Sequence, residues 1–130
     1  MTVRDIKNNI DSAATLDPAL RATGTSNGTG VDLQGYNAAM VVVHFGAYTN
    51  GTHTPSLEHS DDNASYSAVQ AAELEGSFTA ISGAAAGTTQ RVGYKGSKRY
   101  IRAVMTVVSG ATGCQSSAMV IRGQASALPV

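Results

Sequence analysis

The chain has 130 residues, and its nine basic and nine acidic side chains cancel to a formal net charge of zero. That length suits one domain with a true core, and the neutral balance supplies no long-range field to draw nucleic acid or an anionic membrane. Only 14% of residues are charged, against roughly 25% in a typical domain, so the expected surface is a poor solubiliser suited to cover by partners.

Residues 1–18 read as an extended arm or a first edge strand, ending in a turn at Asp17-Pro18. Their first ten residues, MTVRDIKNNI, lack the apolar stretch of a secretory signal. A short strand is expected over 19–25 and a loop over 26–30 (SNGTG). Residues 31–34 alternate Val31 and Leu33 with Asp32 and Gln34, the period of a half-buried strand.

The organising stretch is 38–46 (AAMVVVHFG), with Val41, Val42 and Val43 in a row. β-branched side chains fit a pleated surface better than a helix, where their stiff χ1 crowds the preceding turn. Bounded by turn signals, this run predicts a central strand buried on both faces. A polar loop follows over 48–55.

Residues 56–60 (SLEHS) and 65–69 (SYSAV) flank Asp61-Asp62-Asn63-Ala64. Asp and Asn favour such turns because their side chains bond the nearby backbone, so a β-hairpin is expected. Residues 70–75 (QAAELE) have the composition of a single helical turn. A short strand is expected at 78–81 and a small-residue loop at 82–87.

Residues 88–94 read as a strand and 95–98 as a turn. The second long strand is 100–108 (YIRAVMTVV), with Ile101, Ala103, Met105 and Val107 on its core face. A Gly-rich turn covers 109–116, the last strand 117–122, and an exposed tail 124–130. Short strands with turn signals every eight to twelve residues predict an all-β, single-domain β-sandwich or jelly roll of about eight strands over 19–123.

Catalytic signatures are missing. His44, His53 and His59 lack zinc-type spacing, and Cys114, the single cysteine, can form no intrachain disulfide. His44 is expected to be a hydrogen-bonded core histidine. The Glu58, His59, Asp61, Asp62 group is expected to be a solvated hairpin tip rather than a cation site, which needs six to eight oxygens. There is no Gly-x-Ser-x-Gly elbow and no phosphate-cradling loop. No enzymatic activity and no cofactor are expected.

Charge is segregated along the chain. Glu58, Asp61, Asp62, Glu73 and Glu75 lie on and after the hairpin; Arg91, Lys95, Lys98, Arg99 and Arg102 flank the turn before the second long strand. Solvated faces, pairs within one chain, or complementarity between copies all fit. On the last reading, Arg91, Lys95, Lys98, Arg99, Glu58, Asp61 and Asp62 are candidate protein-interaction residues. A nucleic-acid groove is disfavoured, because Tyr94 and Tyr100 are the only aromatics nearby.

Residues 57–69 (LEHSDDNASYSAV) resemble the hairpin of discoidin-like jelly rolls, and 98–104 (KRYIRAV) is similar to a strand of the same folds. Tyr66 stands where those folds more commonly have Trp. Taken with 35–48 and 91–100, these segments resemble small virion proteins of tailed bacteriophages over 31–123. The resemblance implies a decoration (cement) protein on the capsid exterior, made in the host bacterial cytoplasm. Its implied partners are the major capsid protein and its own copies, as a homotrimer, with no nucleic acid and no membrane. The alternative is a carbohydrate-binding jelly roll of a phage fibre or head spike. Lacking Trp, the chain would use Tyr36, Tyr48 and Tyr66 there.

Overall fold

The computed structural model describes residues 4–83 and 87–126. Ten strands form two antiparallel sheets. They are β1 (Asp11–Arg21), β2 (Gly24–Asn27), β3 (Val31–Asp32), β4 (Tyr36–Tyr48), β5 (Thr52–Ser60), β6 (Ser67–Ala68), β7 (Leu74–Glu75), β8 (Thr89–Tyr94), β9 (Tyr100–Val108) and β10 (Cys114–Ala125). Sheet A runs β1-β10-β4-β8-β7; sheet B runs β2-β9-β5-β6, with β3 also on β9. The fold is an all-β sandwich. The single 3-10 turn, Ala71–Glu73, is the only helical element among the described residues, and none of their helices is long and apolar enough to cross a membrane.

The core lies between the sheets. Val41, Val43 and Phe45 of β4 and Val120 of β10 are fully buried, as are Ile101, Ala103 and Met105 of β9. Period-two alternation puts each set on one face of its strand, and the two inner faces interdigitate as in aligned sandwiches. Thr15 links the layers. Its hydroxyl donates to the Thr29 carbonyl at 2.8 Å and accepts the Ala103 N–H at 3.0 Å. The turn before β10 requires Gly113, whose φ is +96° and whose α-carbon faces the Arg21 carbonyl with no room for a Cβ.

The structure corrects several expectations. β4 is buried on one face only: Met40 and Val42 are half-buried and His44 is exposed, 3.0 Å from the Thr89 hydroxyl. Among the described residues, no third layer covers that side of sheet A. The core histidines are instead His53 and His59. β1 continues through Asp17-Pro18, where register shifts mark bulges against β10. Pro18 fits there because an edge strand tolerates a missing N–H. Part of the expected loop at 26–30 belongs to β2.

The hairpin forms, but its return strand is two residues long, pairing Glu58 with Ala68 and His59 with Ser67. Residues 78–81 form no strand, only an isolated bridge from Ile81 to His53. Cys114 lies in a strand rather than a turn and is buried. Of the expected tail, Gln124 and Ala125 extend β10. Residues 1–3, the centre of the 82–87 loop (84–86) and the last four tail residues (127–130) lie outside the described residues.

Candidate functional site

The segregated charges meet inside one chain, and the sheet register explains how. Glu58 of β5 lies opposite Arg102 of β9, and both Nε and Nη2 of Arg102 donate to Glu58 Oε1, at 2.8 and 2.6 Å. The same guanidinium sits 4.0 Å over the Tyr66 ring. One turn away, Lys98 Nζ reaches Asp61 at 2.7 Å, and Lys95 reaches Glu75 at 3.1 Å. Arg99 forks onto both oxygens of Asp32, at 2.9 and 2.8 Å.

Asp62 does not pair with a cation. It accepts the backbone N–H groups of Ala64 and Ser65 and the Ser60 hydroxyl. These hydrogen bonds hold its carboxyl down at about 2. Arg91 is exposed on β8 and has no ion pair among the described residues. Of the seven candidate interaction residues, the structure thus brings Glu58, Asp61, Lys95, Lys98 and Arg99 into intrachain pairs. Exposed pairs of this kind contribute about 0.2–1 kcal/mol each.

A second feature is the outer face of sheet A. Register places Ser12, Ile121, Met40 and Gly93 in one row across β1, β10, β4 and β8. The next row is Ala14, Met119, Val42 and Arg91. Met119 is 43% exposed, and Met40, Val42 and Ile121 are half-buried. The outer face of sheet B is mixed: Thr25, Thr106 and Thr54 form one row, Asn27, Val104 and Ser56 the next, the Arg102–Glu58 ion pair the one after, and Val108 is 57% exposed at the end of β9. The signal for this face in the sequence is the apolar residues on both sides of β4, which fit burial and contact with a partner equally.

A third feature is a groove of about 460 Å³ at one end of the sandwich. Gln34, Tyr36 and Asn37 form one side, and Ser97, Lys98 and Arg99 the other. Gly35, at φ +90°, makes the turn that leads into Tyr36. Arg122 lies 4.8 Å over the Tyr36 ring and donates to the Asp32 carbonyl at 2.8 Å. A smaller groove of about 270 Å³, lined by Asp61, Asp62 and Tyr66, shares Lys98 as its wall. The three candidate tyrosines do not form one platform. Tyr36 and Tyr48 sit at opposite ends of β4, about 40 Å apart at the usual strand rise. Tyr48 is tied to the Gly51 carbonyl, and Tyr66 to Asn63.

Beneath the groove lies a buried polar relay. His59 Nδ1 is 2.9 Å from the Tyr94 hydroxyl, which accepts the Lys98 N–H at 3.1 Å. Burial pushes the Tyr94 hydroxyl above its ordinary pKa. Glu73 approaches His59 at 3.5 Å. No group of three or more His, Cys, Asp or Glu side chains among the described residues is placed to hold a metal ion.

No protein-family profile matches the sequence, and no curated protein does. Among solved structures, XepA, an exported protein of PBSX, superposes with a TM-score of 0.56 at 22% identity over 92% of this chain. This chain spans 39% of the length of XepA. A protein of Bacillus endospore appendages, which form disulfide-linked pili, aligns at 10% identity and a TM-score of 0.46, over 95% of this chain and 97% of that one. The SPBc2 prophage-derived protein YomS aligns at 15% identity and 0.43, over 94% and 96%. At this level of identity, what the chain shares with XepA is the fold.

Proposed function

We propose that this chain is a structural protein of a phage particle, a decoration (cement) protein that docks on the capsid exterior and stabilises it. The observation that carries the reading is the apolar cluster of Met40, Val42, Met119 and Ile121 in the middle of the outer face of sheet A, with polar residues bordering it. Continuous apolar surface rimmed by polar residues marks protein contact sites. Met119, Val42, Met40 and Ile121 are all apolar; the row of Met40 ends beyond Gly93 at Glu75 of β7, which is paired with Lys95, and the cation at the end of the Val42 row, Arg91, has no ion pair among the described residues. The matching partner surface is an apolar patch of the major capsid protein with a carboxylate at its border, opposite Arg91. The exported character of XepA, the PBSX protein that shares the fold, agrees with a place outside the cell or on a particle.

Self-association as a homotrimer belongs to the same proposal, with the mass read by light scattering. The main test is co-sedimentation with capsids purified from the phage or prophage that encodes the chain. The expected result is binding by the native chain and a loss of about tenfold or more for Met119→Glu, the size of a central contact residue. Undiminished binding by Met119→Glu combined with Arg91→Glu, or no binding by the native chain, overturns the proposal.

A further inference from the structure

We propose that the groove at the end of the sandwich, between Tyr36 and the 95–99 turn, binds a neutral sugar ring. This goes beyond shell docking and does not depend on it, since the groove lies at the sandwich end and the docking face on the outside of sheet A. The volume, about 460 Å³, falls in the range of small-ligand sites, roughly 300–1,000 Å³.

The chemistry of the walls selects the ligand. Tyr36 gives an aromatic surface, and the Arg122 guanidinium 4.8 Å over its ring fixes it in place. A sugar presents a face of C–H groups that packs on such a ring, and hydroxyls around its edge. The Gln34 carboxamide and the Ser97 hydroxyl are exposed and have no hydrogen-bond partner among the described residues, so both are free to meet those hydroxyls. Asn37 is positioned beside them by its bond to the Gln124 carbonyl at 3.2 Å.

Charge argues against an ionic ligand. The two cations of the groove are already spent: Lys98 on Asp61 at 2.7 Å, and Arg99 on both oxygens of Asp32. A phosphate or carboxylate would compete with those exposed pairs, at about 0.2–1 kcal/mol for each one given up. A neutral polyhydroxyl ring needs no such exchange. Tyr48 and Tyr66 take no part, because neither lines the groove.

The test is an NMR titration of the isotope-labelled full chain with glucose, galactose and N-acetylglucosamine, and with N-acetylneuraminic acid as the anionic probe. At about 10 mM, a site with a Kd near 1 mM is nine-tenths filled. The expected result is saturable shifts from at least one neutral sugar, confined to residues 33–39 and 94–99. Tyr36→Ala weakens that binding at least tenfold, Tyr36→Phe retains it, and Gln34→Ala weakens it severalfold. No saturable shift with any neutral sugar overturns the proposal. So does a shift pattern centred elsewhere, a preference for the anionic probe, or binding that survives Tyr36→Ala. If Tyr36→Ala fails to fold, the shift map of the native chain and the Gln34→Ala variant decide between these outcomes.

Discussion

Asp62 spends its carboxylate inside its own turn. It accepts the N–H groups of Ala64 at 2.9 Å and Ser65 at 3.0 Å, and the Ser60 hydroxyl at 2.8 Å. Ser60 in turn accepts the N–H of Asn63 at 3.0 Å, and Asn63 takes the left-handed conformation at φ +60°. Hydrogen bonds to the ionised form lower its pKa from 3.8 to about 2. A folded-state value below the unfolded one means the carboxylate's contribution to stability is present above the unfolded value and is lost as pH falls through the folded one. The stability gap between the native chain and Asp62→Asn is therefore expected to be constant from neutral pH down to about 5 and to close between about 4 and 2. Urea midpoints across that pH series measure it. A gap that stays constant down to pH 2 is the contrary outcome.

At the scale of elements, β4 and β9 were legible because their apolar letters repeat with period two or run together. The mistaken second buried face of β4 has a physical cause. Met40 and Val42 are apolar whether the surface over them is their own chain or a partner, and His44 alone hinted at exposure. The edge strand expected within 1–18 runs on as β1 through Asp17-Pro18, which elsewhere is a turn signal, and so its end was misplaced. The charged candidates could be picked from the sequence, but not their pairing, which rests on the β5–β9 register that sets Glu58 against Arg102. The end groove was illegible for the same reason: it joins the start of β4 to the turn after β8, distant in sequence. The two faces of β4 make a quantitative contrast. Phe45→Ala, fully buried, is expected to cost about 3–5 kcal/mol, and Met40→Ala, on the outer face, well under half of that. Paired urea denaturation curves check both; equal losses would mean that the outer face is core after all.

For the whole molecule, the question is which force holds it to a partner. The net charge is zero, and Glu58, Asp61, Lys95, Lys98 and Arg99 are engaged within the protomer. Little charge is left over for attraction between molecules, whereas the outer face of sheet A offers apolar area. The two sources respond in opposite ways to salt. At about 1 M ionic strength the screening length falls to about 3 Å, so contacts between exposed charges are largely lost while apolar burial is kept. Capsid co-sedimentation is therefore expected to change less than about threefold between 0.15 and 1 M sodium chloride. Reversing Lys98 and Arg99 to Glu should leave docking intact and instead lower the folding stability, by about 1 kcal/mol or less for each broken pair. Release of the chain from capsids at high salt, or loss of docking in the reversed variant with its fold unchanged, would return the role to charge complementarity between molecules. Shell binding would then run along the 95–102 turn and strand rather than across the methionine and valine rows of sheet A.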